Sequence, residues 1–312
     1  MTSHSLGEVP ISNSPTILAL STVSTILFSA LIYRAFFSPL SRIPGPRICC
    51  FTPLWIWYHS YLGGEASLIT SLHAKYGPIV RIGPNECVIS EGSALNAIYN
   101  ERGGFRKADC YANFDFEGHA TIFSARDGEY RAWRSKAVMP LFSTSNIREG
   151  RNTIEACVQR FIERIRSESH VGEPVDILNL SRSLALDAVS SFLFGRPYGG
   201  IEEKSDRLSA SVFVDMLVLT GRFFFLPHWL FVAIGAVSSK LASGVDAAAE
   251  AGGIGSESFA REIVKGTPAG DDTFQGRLKA IGISDHENEV QCMDLLFAGK
   301  SKKHIRPFRR LL

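Results

Sequence analysis

Three cationic side chains within six consecutive residues, Arg131, Arg134 and Lys136, are the first feature that could bind a ligand. Guanidinium and ammonium groups neutralise buried carboxylates through charge-assisted hydrogen bonds, so these side chains are suited to an acidic ligand. The alternative is the exposed charged face of an amphipathic helix, which holds no ligand. The residues alone leave both interpretations open.

The cysteines and histidines indicate neither a metal site nor a disulfide framework. Six cysteines, at 49, 50, 87, 110, 157 and 292, form no CxxC pair and follow no regular spacing. No two of the eight histidines are three or four residues apart, which excludes a metal-ligand pair on one helix face. The sequence also lacks a Walker loop, a GxSxG elbow and an HExxH motif. Motifs therefore predict no catalytic residue and no metal ligand, and they favour reduced thiols in a cytosol-facing protein.

Composition narrows the class of protein. The 312 residues are 45% hydrophobic and 21% charged, which excludes a disordered chain, a collagen-like repeat and a small disulfide scaffold. The net charge of +2 argues against a nucleic-acid partner, since such proteins carry a strongly basic face. Residues 300–312 hold six Lys and Arg and no acid, so the rest of the chain is mildly acidic. We interpret residues 300–312 as a divergent basic tail.

The elements that must position these residues begin with an apolar segment near the N-terminus. No charged residue occurs from Val9 to Tyr33, and residues 17–37 are predicted to form a transmembrane anchor if Arg34 snorkels to the interface. A cleaved signal peptide is the alternative, but its positive charge would precede the apolar stretch. Here Arg34, Arg42 and Arg47 follow it, so we expect residues 1–16 in the lumen and the body in the cytoplasm.

After the anchor, the pattern predicts a mainly α protein with a small antiparallel β-sheet. Residues 38–66 form a proline-rich linker and entry segment around Pro44-Gly45-Pro46. Two β-branched runs, 79–82 and 87–89, flank a Pro-Asn turn and predict a hairpin. Helical periodicity then dominates as far as a last helix over about 287–298, and the Ala-, Gly- and Ser-rich stretch 242–258 is expected to be flexible.

In this order the motifs closely resemble the N-terminal part of membrane-bound cytochrome P450 monooxygenases, particularly those of fungal secondary metabolism. The resemblance covers residues 17–299 and is carried by six stretches: AKYGPIVRIGPN (74–85), FRK (105–107), YRAWRSK (130–136), PLFS (140–143), FLFG (192–195) and DLLFAG (294–299). It implies a partial cytochrome P450 domain over 67–299 that oxidises a lipophilic small molecule. It further implies heme b, an NADPH–cytochrome reductase partner, and the endoplasmic reticulum membrane.

The resemblance also assigns site residues. The basic helix would send Arg131 to one heme propionate, and the second contact is open because Ser135 stands where many members carry Arg, between Arg134 and Lys136. The loop over the heme, contributing to the substrate pocket, would include Phe105, Ala112, Phe114 and Phe116. Its opposite wall would include Phe213 and the run Phe223–Phe225. For each aromatic side chain, ordinary core packing is the alternative interpretation.

The pattern departs from the family after Ala298 and Gly299, which would be a remnant of the helix that crosses the heme. Lys300-Ser301-Lys302 replaces the acid and threonine of that helix, and residues 300–312 hold neither Glu-x-x-Arg nor the Phe-x-x-Gly loop that precedes the heme-ligand cysteine. We expect a truncated, catalytically inactive form that does not hold heme stably, as an unspliced intron or a frameshift would produce. The alternative is a membrane-anchored interaction or regulatory module whose tail contacts anionic membrane lipid.

Overall fold

The computed structural model describes residues 15–100, 105–116, 118–169, 175–204, 208–211, 214, 218, 221–241 and 247–298. The chain divides between residues 102 and 103 into two compact units. Of the predicted lumenal segment 1–16, residues 1–14 lie outside the described residues, as do Phe213, Gly299 and the basic tail.

The first unit begins with an apolar helix. Helix α1, Pro15–Ile32, continues into a π-helical turn, Tyr33–Phe37, and none of its side chains is buried. Within the described residues, two helices are long and apolar enough to cross a membrane, this one and Ile177–Phe194. The second is 39% buried, as a helix in the core of a soluble unit would be.

The proline-rich segment of the first unit leads into the predicted hairpin. Two short 3₁₀ turns, Pro39–Arg42 and Arg47–Cys50, precede helices α2, Leu54–Tyr61, and α3, Glu65–Tyr76. Strand β1, Ile79–Gly83, pairs antiparallel with β2, Glu86–Ile89, and Val80 lies opposite Val88. A π-helical turn, Asn96–Asn100, ends the unit. The hairpin confirms the sequence prediction. Helix α3 ends before Gly77, which has φ of 98°.

Arg81 shows how the proline-rich segment is held. Its side chain is 1% exposed and donates to the carbonyl oxygens of Gly83, at 3.1 Å, and Pro84, at 2.7 Å. Its backbone N–H donates to the Pro44 carbonyl at 2.8 Å, so the segment lies directly on β1. A Cβ at Gly45 would come within 2.3 Å of the Arg81 carbonyl oxygen. Only glycine fits this close approach of two backbones.

The second unit is helical. A 3₁₀ helix, Asp109–Phe114, precedes α4, Gly128–Val138, and a 3₁₀ turn, Met139–Phe142, follows it. The other helices are α5 (Thr144–Glu149), α6 (Arg151–Ser169), α7 (Ile177–Phe194), α8 (His228–Leu241), α9 (Ala247–Gly266), α10 (Phe274–Ala280) and α11 (Asp285–Ala298).

The core of this unit lies where α4, α7, α9, α10 and α11 meet. It contains Val138, Phe194, Val264, Phe274 and Leu296, all less than 5% exposed. The ring centroids of Phe194 and Phe274 are 6.0 Å apart. The prediction of a flexible stretch at 242–258 was wrong from residue 247 onward, because Ala favours helix and α9 buries its far end in this core.

Candidate functional site

Helix α4 carries the cationic cluster, and its first turn fixes where the cations lie. The Asp127 carboxylate caps the helix by accepting from the Tyr130 N–H at 2.8 Å. From this start, Arg131 and Lys136 are exposed, whereas Arg134 is 5% exposed. One helix therefore presents cations on two different faces, with different partners.

Arg134 points into the protein and pairs with Glu287 of α11. Its guanidinium donates to Glu287 Oε1, and its carbon lies 3.3 Å from the centre of the Tyr130 ring. The Tyr130 hydroxyl lies 2.5 Å from the same carboxylate oxygen and 2.8 Å from the Ala120 carbonyl. Burial raises the pKa of Glu287, but hydrogen bonds from Tyr130 and Arg134 outweigh it and the net pKa is lowered. Arg134 is thus engaged in an internal ion pair.

Lys107 lies in the electrostatic field of Arg131. Its ammonium donates to the Phe123 carbonyl and stands 5.2 Å from the centre of the Tyr111 ring. Burial lowers the pKa of Lys107, the charge of Arg131 lowers it further, and Asp294 opposes both. Two cations held within mutual repulsion are stabilised by a bound anion. This pair fits a carboxylate ligand such as a heme propionate.

Asp294, on α11, is the acid of this neighbourhood. Burial raises its pKa, although the Thr121 hydroxyl and the Phe123 N–H donate to the charged form and lower it. The charged form of Asp294 also favours the charged form of Lys107, so the acid and the cation are electrostatically coupled. Sequence reasoning did not single out Lys107 as a site residue, although the FRK motif contained it.

Next to Lys107, four rings form a closed cycle, which we call the aromatic tetrad: Tyr111, Phe114, Phe123 and Phe224. Phe114 and Phe123, Phe114 and Phe224, and Tyr111 and Phe123 are each 5.6 Å apart, and Tyr111 and Phe224 are 5.4 Å apart. The angles between ring planes, from 46° to 85°, are those of edge-to-face and tilted packing. The tetrad joins residues 111–123 to the segment after Gly221.

The predicted pocket residues fall in different places. Phe114 and Phe224 are in contact, so the two predicted walls meet at the tetrad. Ala112 is buried, Phe105 is 79% exposed, and Phe116 forms a backbone bridge with His119. Phe225 packs on Phe224 with centroids 5.2 Å apart. Sequence reasoning missed Tyr111 and Phe123, and the concentration of aromatic residues over 111–123 was the available signal.

Helix α11 also fixes the loop between the tetrad residues and α4. Gln291, 1% exposed, accepts from the Ile122 N–H at 2.8 Å and donates to the Ala120 carbonyl at 3.0 Å. Within the loop, Ser124 donates to Asp115 at 2.6 Å and its hydroxyl accepts from the Thr121 N–H. Lys107 and the tetrad therefore lie against a loop whose backbone is held at several points.

Two of the described cysteines, Cys49 and Cys292, are poor candidates for the iron ligand of a heme. In the described part of the chain all six are free, and no group of three His, Cys, Asp or Glu side chains could hold a metal ion. Cys157 and Cys292 are buried within helices. Burial raises the pKa of the Cys292 thiol and raises that of Cys49 to about 11, the opposite of what a thiolate ligand requires. Among the described residues, the cations of α4 and Lys107 are suited to carboxylates such as those of heme, whereas Cys49 and Cys292 are poorly suited to bind its iron.

Comparisons with known proteins identify the family. The family model for cytochrome P450 matches residues 44–300, so the chain belongs to the cytochrome P450 family. The mainly α fold with a small antiparallel sheet and the resemblance noted in the sequence are thereby confirmed.

Three fungal relatives illustrate the match. The cytochrome P450 monooxygenase mfmF of Annulohypoxylon moriforme is 34% identical over 300 residues, covering 89% of this chain and 60% of that protein. The cytochrome P450 monooxygenase orf2 of Aspergillus niger is 31% identical over 178 residues, covering 57% of this chain and 36% of its own. The tryptophan 6-hydroxylase fscE of Fusarium equiseti is 29% identical, covering 56% and 35%. The chain spans 60% or less of the length of these relatives.

Proposed function

We propose that this chain supplies the membrane anchor, the propionate contacts and part of the substrate wall of a heme-thiolate monooxygenase that oxidises a lipophilic secondary metabolite. The observation that supports this most directly is the paired cation site of Lys107 and Arg131 beside the aromatic tetrad. A bound heme would supply the iron at which dioxygen is activated. The residues of this chain hold its carboxylates and orient the substrate.

Arg131 and Lys107 are proposed as the two propionate contacts. Arg131 is exposed on α4, and the repulsion that it exerts on Lys107 is relieved when a carboxylate lies between them. Lys136, exposed one residue after Ser135, is the alternative for the second contact. Arg134 is proposed to hold α4 in place through Glu287 rather than to contact heme directly.

The substrate wall is proposed to be the aromatic tetrad. Phe114 and Phe224 come from the two segments that the family resemblance places around the pocket, and their rings are in contact. Faces and edges of aromatic rings favour apolar, flat ligands. The proposed substrate is therefore a lipophilic small molecule. Phe105, Phe116 and Phe213 remain proposed pocket residues on the resemblance alone.

The anchor, location and redox partner are proposed from the first unit. The helix Pro15–Phe37 is long and apolar enough to cross a membrane, and the Arg residues that follow it favour a cytoplasmic body. We propose that the chain lies in the endoplasmic reticulum membrane with residues 1–16 in the lumen. The body would then face an NADPH–cytochrome reductase, the partner that the family uses.

For the 312 residues taken alone, we propose no monooxygenase activity, because none of the six cysteines lies in a Phe-x-x-Gly loop of the kind that presents the heme-ligand thiolate in this family. The test is hemin titration of the expressed chain, followed by reduction and carbon monoxide. We expect hemin to bind weakly, with no Soret band at the thiolate position. A thiolate-type band would refute the inactive form.

The same titration tests the propionate contacts. We expect Arg131→Gln and Lys107→Gln each to weaken hemin binding about tenfold, the effect of one lost charge-assisted hydrogen bond. Lys265→Gln, which removes an exposed lysine on α9, is the matched control and should leave the affinity unchanged. Equal affinities for all four proteins would refute the assigned contacts.

A further inference from the structure

Asn113 joins the tetrad's 3₁₀ helix to a segment more than a hundred residues later in the chain. Its side chain is 5% exposed. Its amide nitrogen lies 2.9 Å from the Leu226 carbonyl oxygen and 3.2 Å from that of Phe224, and its amide oxygen lies 3.2 Å from His228 Nδ1. Three hydrogen bonds from one buried amide therefore hold the turn that carries Phe224.

The chemistry of these partners fixes the orientation of the amide. Backbone carbonyls only accept hydrogen bonds, so the NH₂ group of Asn113 must face Phe224 and Leu226. The amide oxygen then faces His228 and can only accept. It follows that His228 Nδ1 carries the proton, and that the hydrogen bond selects this tautomer of the neutral ring.

We propose that Asn113 is a positioning residue that closes the substrate wall: it fixes the turn at 223–226 so that Phe224 completes the aromatic tetrad, and it holds His228 in the Nδ1–H tautomer. The proposal rests on the proposed function only in taking the tetrad as the substrate wall. Phe114 is the next residue after Asn113 and contacts Phe224 directly. The Asn113 amide and the aromatic rings therefore connect the same two segments. The hydrogen bonds of the amide set the separation of the segments, and the rings pack in the space between them.

The first test needs no heme, and its readout comes from the wild-type chain. Long-range ¹⁵N–¹H correlation spectra of the 312-residue chain at pH 8 report the tautomer of each histidine. His228→Gln identifies the His228 signals by removing them. We expect a protonated Nδ1 and an unprotonated Nε2 at His228. The opposite tautomer would overturn the assignment, whatever the outcome of the hemin titrations.

The second test separates positioning from ordinary packing. Asn113→Ala removes the three hydrogen bonds, while Asn113→Asp keeps the shape and turns an acceptor oxygen toward two carbonyls. Amide exchange at Phe224 and Leu226 and the rate of Nile Red uptake are measured for both. We expect both the amide exchange rates and the rate of Nile Red uptake to rise roughly fivefold or more. The rise should be larger in Asn113→Asp than in Asn113→Ala. If cavity formation alone mattered, the alanine variant would show the larger change.

Asn288→Ala provides the control. Asn288 is fully buried and donates to the Gln275 carbonyl at 2.9 Å, in the core rather than at the tetrad. Its loss should lower the unfolding midpoint without changing Nile Red uptake or exchange at Phe224. If Asn288→Ala and Asn113→Ala raise both rates equally, Asn113 is an ordinary structural residue and the proposal fails.

Discussion

Arg134 of α4 and Glu287 of α11, 153 residues apart in sequence, form an ion pair that links the two helices. The side chains are 6% and 19% exposed, so water screens the pair only weakly. The Tyr130 ring lies against the guanidinium, and its hydroxyl approaches the carboxylate. Arg131 lies three residues before Arg134 on α4, so the pair anchors the helix that carries this proposed propionate contact.

Removing one partner of this pair leaves the other charge buried. We expect Arg134→Met to lower the free energy of unfolding by about 3–5 kcal/mol, because the Glu287 carboxylate loses its counter-charge. Tyr130 is then its remaining partner in this cluster. Arg134→Met combined with Glu287→Leu removes both charges and should recover most of that loss. Urea unfolding followed by circular dichroism measures all three free energies.

Arg196 and Glu262 provide the matched control, because their side chains are 57% and 60% exposed at a distance of 3.0 Å. Arg196→Met should cost less than about 1 kcal/mol. Equal losses of unfolding free energy in Arg134→Met and Arg196→Met would show that the buried pair stabilises the fold no more than an exposed one.

Glu287 should also give the chain an acid-sensitive stability. Its pKa is lower in the folded protein than in the unfolded chain, so the folded state binds fewer protons. The stabilisation is complete above the unfolded pKa of about 4.3 and is lost as the pH falls through the folded pKa. Unfolding free energies measured from about pH 7 to pH 3 should therefore fall less steeply for Glu287→Gln than for the wild type.

Asp294 should behave in the opposite sense and serves as the comparison. Burial raises its pKa, so the folded state holds this proton more tightly and gains stability as the pH falls. In Asp294→Asn, the free energy of unfolding should therefore fall more steeply with decreasing pH than in the wild type. Parallel profiles for Glu287→Gln and Asp294→Asn would contradict both assignments.

The sequence predicts local features of this fold well. The hairpin over 79–89 follows from two β-branched runs around a Pro-Asn turn, and the last helix from apolar spacing over 287–298. The stretch after residue 247 was mistaken for a flexible segment, because its small residues resemble a linker. Burial of Ala260 and Val264 farther along the same helix decides the outcome, and a local pattern does not reveal it.

The site is predictable only in part, because its contacts are non-local. The motif around Arg131 identifies a cationic helix, but the partner of Arg134 lies 153 residues away. Phe114 and Phe224 were expected on opposite walls, whereas the contact between their rings depends on the turn that Asn113 holds. The sequence therefore predicts which residue types are present at the site. Which of these residues contact one another depends on how α4, α8 and α11 pack.

Lys107 should show the conflict between binding and stability that marks a ligand site. Burial and Arg131 lower its pKa, so its charge opposes folding in the absence of an anion. Lys107→Met keeps the apolar stem over the Tyr111 ring. We expect the ligand-free chain to stay within about 0.5 kcal/mol of the wild type or to gain stability, while the stabilisation by hemin becomes smaller.

Lys75→Met is the control for this variant, since Lys75 also lies over a ring, that of Tyr76, at 5.2 Å. It should leave the stabilisation by hemin unchanged in the same thermal-shift measurement. A large loss of ligand-free stability in Lys107→Met would instead identify Lys107 as a structural residue.

Gly45 tests the packing of the proline-rich segment on β1. A Cβ there would lie 2.3 Å from the Arg81 carbonyl oxygen, and the backbone on both sides must move to admit it. We expect Gly45→Ala to lower the free energy of unfolding by about 1–3 kcal/mol. Gly92→Ala, where an added Cβ meets no atom within 4 Å, should be neutral or slightly stabilising. Amide exchange at Arg81, whose N–H donates to Pro44, should rise in Gly45→Ala only; unchanged exchange there would mean that the segment does not depend on this contact.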